Sequence, residues 1–437
     1  MYWFLDDEDE RLLQRIHALV DGLFSISRQE GKERIFPYEL IRGPWTGGEY
    51  GVGSLIDPLT KVHELTGSTR ALQLAQGLTH FMLNPKNGFF PETGTMYSYL
   101  RTVVSVINGL SRFAALTDQT DIVKRAVAIH DQAVSLYTAF GSGPCLEPAC
   151  TNMELTQSAL SLIRLGHDEY WDMIDRWVRN QTAEAQFLDT REWVKEKAAK
   201  GRILDKEQWM YESYSPKDVI LPFDDHRDVV RRSIGGFLWT SADEHLFVPG
   251  SLMLCCSAHA MRTFHLIWQN ALTEDMDGLK VHLHYTLENG LGELTSYEPW
   301  VGKTTVIPKR DARLKVRIPE HARSGEVKGS VAGKVRVLAV NGRYADFGRV
   351  KAGEECTLEY DLTYRVTEEK QQILQNRECD KPTGVIPYEA HWRGNTVTQI
   401  LPESKEEKRI YRRKDLDTDT VRLESVAHFI THKDIHW

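Results

Sequence analysis

Apolar residues recur at helical spacing through the first part of the chain. The first stripe consists of Leu12, Ile16, Leu19, Val20 and Leu23. Intervals of three and four residues are typical of the buried face of an amphipathic helix. Similar stripes run over residues 53–66, 69–83, 99–117, 121–139, 152–165 and 168–188. Turn signals such as Thr66-Gly67-Ser68 separate the stripes, so the sequence predicts a string of antiparallel helical hairpins.

The hydrophobic period changes in the second part of the chain. A last helical pattern covers 256–272, and after Gly278 apolar residues alternate with polar ones, as in Leu279–Tyr285 and Cys356–Leu362. Alternation with a period of two predicts strands that are buried on one face, and Asn341-Gly342 is a hairpin turn signal. The pattern predicts an antiparallel β-sandwich over about 279–366.

These patterns predict a multidomain fold of helices followed by strands. An (α/α) helical-hairpin toroid is expected over 1–275 and an antiparallel β-sandwich over 276–370. A C-terminal extension over 371–437 could add strands to the sandwich. A length of 437 residues agrees with several domains, because one domain usually spans about 100–200 residues.

Composition and charge exclude some classes of function. The net charge of −8 argues against a nucleic-acid-binding protein, which usually has a clustered basic face. No apolar stretch approaches the roughly 18 residues of a membrane span, so we expect no membrane association. The acidic N-terminus, Met1–Leu13, does not resemble a secretory signal, which predicts a cytoplasmic protein.

Aromatic residues cluster on the predicted loops between the helices. They are Trp45, Phe89, Phe90, Tyr97 and Tyr99. In a toroid these loops line one mouth, where flat amphipathic rings suit stacking on sugars. Trp45 and Tyr97 are therefore candidate substrate-binding residues. The alternative is that these rings are hydrophobic staples between hairpins.

Two cysteine clusters are the strongest chemical signal. Cys255 and Cys256 open a predicted helix, whose positive N-terminal end lowers thiol pKa values and favours thiolates. A tetrahedral zinc site needs about four ligands. Glu147 and Cys150, just before another predicted helix, could complete a site of three cysteines and one glutamate. The alternative is two unrelated pairs of buried thiols, since cysteine is a common small core residue.

Polar residues elsewhere are candidates for catalysis or substrate binding. Glycosidic cleavage needs a proton donor and a nucleophile or base, usually two carboxylates. Asp225 and Glu92 are candidate catalytic carboxylates, and His226 beside Asp225 is a candidate substrate contact. The alternative for these residues is a polar surface loop with local salt bridges. His259, on the helix after the cysteine pair, is a candidate ligand or substrate contact.

Two segments resemble motifs of a known family. Residues 255–268 (CCSAHAMRTFHLIW) resemble the CC-x-x-N-x-x-R helix of the β-L-arabinofuranosidase family, glycoside hydrolase family 127, and of its six-hairpin relatives. Residues 147–154 (EPACTNME) resemble the E-x-C motif of that family. Residues 170–180 are similar to the hairpin that follows this motif. Val281–Tyr285 and Arg317–Pro319 are similar to the family's sandwich strands.

The resemblance implies a zinc enzyme with a cysteine nucleophile. Carried over to this chain, Cys255 would attack the anomeric carbon in a retaining mechanism. Cys256, Cys150 and Glu147 would be the other zinc ligands. Zinc would keep Cys255 as a thiolate and make it a good leaving group in the second step.

This sequence departs from the family pattern in three ways. The glutamate lies three residues before Cys150 instead of two. The stretch that matches the family's acid/base loop, 137–144 (YTAFGSGP), contains no carboxylate. The predicted helices are fewer than those of a complete six-hairpin toroid. We therefore expect either that the opening hairpins are missing or that the barrel is completed by a partner, as in a homo-oligomer.

The sequence favours a glycoside hydrolase that acts on plant- or microbe-derived oligosaccharides. One alternative keeps the zinc as a structural ion and assigns hydrolysis or uronide elimination to carboxylates such as Glu92 and those of Asp224–Asp228. Another is a non-catalytic sugar-binding protein with a decayed site. Each of these hypotheses expects a carbohydrate ligand.

Overall fold

A computed structural model of the protein describes residues 9–37, 49–90, 100–144, 149–186, 235–237, 254–323, 325–374 and 382–402. Helices occupy most of the first part of these residues, and strands occupy the second part. This order confirms the predicted class of helices followed by sheets. Among the described residues, no helix combines the length and the apolar character that crossing a membrane requires.

Each predicted apolar stripe overlaps a helix, although the helix predicted over 121–139 ends at Val134. The helices are α1 (Glu10–Ile26), α2 (Glu49–Gly53), α3 (Ile56–Thr66), α4 (Thr69–Leu83), α5 (Leu100–Thr117), α6 (Thr120–Val134), α7 (Ala149–Ile163), α8 (Tyr170–Trp177) and α9 (Leu254–Ala271). Helix α7 lies against both α5 and α9, and α3 lies against α4 and α5. Helix α7 is therefore central to the packing that positions the cysteines.

The turn between α3 and α4 shows how local sequence ends one helix and begins the next. Gly67 has a left-handed φ of 68°, and its N–H donates to the carbonyl of His63. Glycine adopts this conformation without steric cost. The Ser68 hydroxyl then accepts a hydrogen bond from the N–H of Ala71 and caps α4.

The prediction of a single helix over 168–188 is wrong in one respect. Helix α8 ends at Trp177, and a π-helical turn follows over Val178–Thr182. In this turn the Asn180 amide donates to the carbonyl of Asn395 and accepts from the N–H of Val397. These two bonds tie the turn to a later strand and favour the wider winding, which apolar spacing alone does not reveal.

Within the described residues, the strands form a hairpin and three larger sheets. The hairpin pairs β1 (Arg28–Glu30) with β2 (Glu33–Ile35). The six-stranded sheet has the order β10 (Lys334–Arg336), β9 (Val327–Val331), β13 (Cys356–Tyr360), β7 (Lys303–Pro308), β6 (Gly292–Ser296) and β5 (Leu287–Glu288). The five-stranded sheet has the order β11 (Ala339–Asn341), β12 (Tyr344–Val350), β8 (Ala312–Arg317), β4 (Gly278–Val281) and β3 (Leu272–Asp275). The last sheet contains β14 (Tyr364–Leu374), β15 (Pro382–Arg393) and β16 (Thr396–Leu401).

The two larger sheets share one hydrophobic core. Val306 and Leu358 of the six-stranded sheet and Leu314 and Val316 of the five-stranded sheet belong to the same buried cluster. These residues occupy alternate positions along their strands, as the period of two predicts. The five-stranded sheet is mixed, because β4 pairs in parallel with β8. This parallel pair departs from the purely antiparallel arrangement that the sequence predicts.

A buried ion cluster joins the helices to the five-stranded sheet. The fully buried guanidinium of Arg317, at the end of β8, donates to Asp172 at 2.5 Å and to Asp175 at 3.0 Å. Arg323 and Arg343 also donate to Asp172. This cluster, called here the junction, fixes α8 against the sheet.

Candidate active site

Helices α7 and α9 bring the two cysteine motifs together. Cys150 in the first turn of α7 and Cys256 in the first turn of α9 are fully buried in one small cluster. The other members of this cluster are Met153, Ala185, Phe237 and Ala260, with Phe264 packed against them. We call this group the thiol cluster. Two of the four predicted zinc ligands therefore lie in a common environment although about a hundred residues separate them.

Hydrogen bonds between α7 and α9 fix the register of this pairing. The buried hydroxyl of Thr263 on α9 lies 3.4 Å from the carbonyl of Met153, to which it donates. The Gln157 side chain of α7 donates to the same hydroxyl at 3.0 Å. These contacts lie directly beyond the thiol cluster along both helices. They prevent one helix from sliding past the other and so preserve the meeting of Cys150 and Cys256.

Helix α9 is also anchored to α3 and α5. Arg262 of α9 lies 3.3 Å from the Asp57 carboxylate, which also accepts from Arg112 at 2.5 Å. Burial alone would raise the pKa of Asp57, but Arg262 and Arg112 outweigh burial and lower it to about 2. Burial of Lys61, together with the same two arginines, lowers its pKa to about 6. The anchor is a compact ionic cluster that holds the cysteine-bearing helix in place.

A carboxylate and an imidazole lie one helical turn beyond the thiols. Glu154 follows Cys150 by four residues, and His259 follows Cys256 by three, so each lies on the same face as its cysteine. Glu154 Oε1 lies 3.3 Å from His259 Nε2. The hydroxyl of Ser105 on α5 donates to both Glu154 oxygens, at 3.2 and 3.0 Å. No role for Glu154 is predicted from the sequence, although its spacing of four residues from Cys150 indicates a shared helix face.

A carboxylate of a distant strand contacts the loop before α7. Residues 137–144 contain no Asp or Glu, but Glu369 of β14 accepts a hydrogen bond from the N–H of Ala139 at 2.9 Å. Gln371 of the same strand donates to the Ser142 hydroxyl and to the carbonyl of Gly143. Glu369 is buried, and its other oxygen accepts from Thr367. These bonds hold the loop against the last sheet.

Gly141 explains how closely this loop approaches α7. Its φ of 92° is left-handed, and a Cβ at this position would lie 2.4 Å from the Asn152 amide nitrogen. The same amide donates to the carbonyl of Gly141 at 2.9 Å. A residue without a side chain is therefore required where the loop passes the first turns of α7.

The remaining predicted site residues lie outside the described residues or are described only in part. Outside them are Trp45, Glu92, Tyr97, Glu147, Asp225 and His226. The backbone of Cys255 belongs to α9, but its side chain is not among those described. The roles predicted for these residues stay predictions. Phe89 and Phe90, by contrast, are buried, which favours the staple interpretation over stacking on sugars for this pair.

The described side chains contribute two thiols to the predicted zinc site. Among them, no group of three or more His, Cys, Asp or Glu residues is arranged to hold a metal ion. Cys150 and Cys256 are suited to such a site by their chemistry, because buried thiolates are preferred zinc ligands. A complete site needs Cys255 and Glu147 in addition, so zinc binding stays a prediction.

No protein-family model and no curated protein matches the sequence. The fold is similar to that of a glycoside hydrolase family 127 β-arabinofuranosidase, with a TM-score of 0.52 at 16% identity over 78% of this chain and 55% of that chain. The family 127 β-L-arabinofuranosidase of Geobacillus stearothermophilus T6 matches at a TM-score of 0.49 and 14% identity, over 91% of this chain and 74% of that chain. A further glycoside hydrolase matches at a TM-score of 0.45 and 14% identity, over 89% of this chain and 74% of that chain. The similarity predicted from sequence is confirmed at the level of the fold, and this chain spans little more than half of the first of these structures.

Proposed function

We propose that this protein is a glycoside hydrolase that cleaves plant- or microbe-derived oligosaccharides. The observation that carries the proposal is the meeting of Cys150 and Cys256 at the first turns of two packed helices. This arrangement occurs in a fold similar to that of a family 127 β-arabinofuranosidase. We propose β-L-arabinofuranosides as the first substrates to test, because the structure that matches at a TM-score of 0.52 is that of a β-arabinofuranosidase and the cysteine motifs resemble those of the β-L-arabinofuranosidase family.

We also propose how the helices and the sheets are arranged. The helices α1 to α9 would belong to a toroid of helical hairpins whose mouth lies at the first turns of α7 and α9. The six-stranded and five-stranded sheets would form a β-sandwich, which their shared core and alternating burial support. A concave mouth lined by loops is a common site for sugar binding.

Zinc is the metal that the available donors suit best. Cys150, Cys255, Cys256 and Glu147 would hold it in a four-coordinate site. Bound zinc would keep its thiol ligands deprotonated and would make a sulfur a better leaving group. The ends of α7 and α9 add to this effect, because the positive end of a helix stabilises a nearby thiolate.

Cys255 is the proposed nucleophile. Its sulfur would form a bond to the anomeric carbon while the bond from that carbon to the leaving oxygen breaks. Water would then displace the sulfur, and two successive inversions would retain the configuration of the sugar. Each step requires a group that supplies or removes a proton at an oxygen atom.

The substitution Cys255→Ser tests this function. With 4-nitrophenyl β-L-arabinofuranoside as the substrate, we expect a loss of roughly 10³-fold or more in kcat, because serine is a much weaker nucleophile here. Bound zinc, measured by elemental analysis, should be largely retained. The control is Cys356→Ala, which removes a buried thiol of strand β13 and should leave the activity unchanged.

The outcomes separate the competing hypotheses. Full activity of Cys255→Ser contradicts the cysteine nucleophile and favours catalysis by carboxylates around a structural metal. A wild-type protein that binds oligosaccharides but cleaves none across a broad panel of glycosides is a sugar-binding protein. Retention of configuration, followed by NMR of the released sugar, is expected only for the proposed mechanism or another double displacement.

A further inference from the structure

The pair of Glu154 and His259 lies beside the thiol cluster and has no role in the mechanism proposed above. Its carboxylate is buried on α7, and its imidazole, on α9, is partly exposed at 18% of the side-chain area. The two groups approach to 3.3 Å between Oε1 and Nε2. A carboxylate and an imidazole at this separation can share a single proton.

Three helices hold the pair in one geometry. Ser105 of α5 donates to both carboxylate oxygens of Glu154, which restricts rotation of that group. The hydroxyl of Thr263, which accepts from Gln157 and donates to the carbonyl of Met153, fixes α7 against α9 in the same stretch. A pair that is held from three sides keeps its orientation during a reaction, as catalysis by proton transfer requires.

The pair lies beside the thiol cluster along the helix axes. Cys150 and Glu154 are separated by one turn of α7, and Cys256 and His259 by nearly one turn of α9, which corresponds to about 5 Å of rise. Side chains at these spacings share one face of a helix. Cys255, the proposed nucleophile, precedes His259 by four residues on α9, so a sugar bonded to its sulfur would have its reacting bond about one helical turn from the pair.

Several other buried carboxylates of the described residues contact guanidinium groups. Asp172 and Asp175 face arginines in the junction, and Glu298 lies between Arg179 and His321. Arginine does not release its proton, so a carboxylate beside it stays ionised. Glu154 contacts an imidazole and a hydroxyl group, both of which exchange protons. These contacts, together with the position beside the thiol cluster, favour acid/base chemistry for Glu154 and His259.

We infer that Glu154 and His259 together are the acid/base group of the proposed glycosidase, and this inference rests on the proposed function. In the first step the shared proton passes to the leaving oxygen as the bond between carbon and that oxygen breaks and the bond between carbon and sulfur forms. In the second step the pair takes a proton from water as the water oxygen replaces the sulfur. The pair ends with the proton that it held at the start.

Glu154→Gln tests the inference through its dependence on the leaving group. An alkyl leaving group such as methanol needs the proton, so hydrolysis of methyl β-L-arabinofuranoside should fall by about 10²–10⁴-fold. A 4-nitrophenolate leaves with little assistance, so cleavage of the aryl glycoside in the first step should fall by less than about 10-fold. Added azide needs no general base and should restore turnover of the aryl substrate as glycosyl azide. His259→Gln should show the same selectivity.

Glu369→Gln is the matched control, since it alters a buried glutamate that holds the loop over 137–144. It should affect both substrates equally and show no response to azide. Equal losses on both substrates in Glu154→Gln and His259→Gln would overturn the acid/base role and make the pair structural. A wild-type protein that cleaves neither glycoside nor any other glycoside of the panel would overturn the proposed function itself. Circular dichroism spectra verify that each variant is folded.

Discussion

The junction and the thiol end of α7 and α9 are both buried and polar, but their carboxylates have different partners. At the junction, Asp172 and Asp175 contact the guanidinium groups of Arg317 and its neighbours. At the thiol end, Glu154 contacts the imidazole of His259. Permanent charges fix the structure, whereas an imidazole can gain or lose a proton near neutral pH. The two regions therefore differ in the groups that contact their buried carboxylates.

Electrostatics at the junction agree with a structural role. Burial would raise the pKa of Asp175, but Arg179 and Arg317 outweigh burial and hold it far below the ordinary range. Burial likewise opposes the charge of Arg179, but Asp175 and Glu298 raise the pKa of that guanidinium. Asp175 and Arg179 therefore both stay charged near neutral pH.

The largest predicted effect is at the junction. Arg317→Met removes the guanidinium that joins Asp172 to Asp175, and leaves the buried carboxylates with fewer partners. We expect the free energy of unfolding to fall by about 3–5 kcal/mol, as for other buried ion pairs that lose one partner. Urea denaturation followed by circular dichroism measures this change.

Arg313→Met is the control on the same strand. Arg313 pairs with Asp346 at 2.5 Å, but 55% of its side chain is exposed. Asp346 is buried, but solvent reaches the guanidinium of Arg313, so we expect a loss of about 1 kcal/mol, well below that of Arg317→Met. If both variants lose the same stability, the junction is no stronger than a half-exposed pair and the contrast between the two regions fails.

A smaller effect is expected where α9 is anchored by Asp57. Its pKa lies at about 2, below the ordinary 3.8, so the charged form stabilises the fold above about pH 4 and this stabilisation is lost as pH falls towards 2. Asp57→Asn should lower the free energy of unfolding by about 2 kcal/mol at pH 7. The difference from wild type should shrink between pH 4 and pH 2.

Denaturation curves at several pH values test this prediction. Asp21→Asn serves as the control, because Asp21 pairs with Arg70 and both side chains are more than half exposed. That variant should stay within about 0.5 kcal/mol of wild type. A difference between Asp57→Asn and wild type that does not change from pH 7 to pH 2 contradicts the assigned electrostatic origin.

The smallest effect on stability is expected in the thiol cluster. In protein freed of metal, Cys256→Ala should lower the free energy of unfolding by about 1 kcal/mol, because one buried sulfur is removed. Cys356→Ala, in the core of the sheets, should have a similar effect. The two variants should differ in zinc content, with zinc bound in Cys356→Ala and lost in Cys256→Ala.

Elemental analysis and thiol counting before and after chelation measure this difference. Equal zinc content in the two variants and in wild type excludes Cys256 as a ligand. A loss of zinc that is confined to Cys256→Ala would show that the thiol cluster has a chemical role in addition to its packing. The thiol end would then differ from the junction in metal binding as well as in proton exchange.

The sequence by itself determined most of the helices and the change from helices to strands. The stripe over 69–83 and the Thr66-Gly67-Ser68 turn correspond to α4 and its cap, since these depend on neighbours a few residues apart. The same local signals placed the cysteine motifs at the starts of helices. They also predicted the change of period near residue 278, which corresponds to β4.

Tertiary structure decided which of these residues meet. Nothing in local spacing links Glu154 to His259, or Asp172 to Arg317, because each pair joins elements more than a hundred residues apart. Packing of Phe89 and Phe90 into the core and the π-helical turn at Asn180 likewise depend on distant partners. Periodicity records whether a side chain is buried. Which groups surround a buried side chain depends on how the helices and sheets pack. These neighbouring groups determine whether a buried carboxylate anchors the fold or exchanges protons.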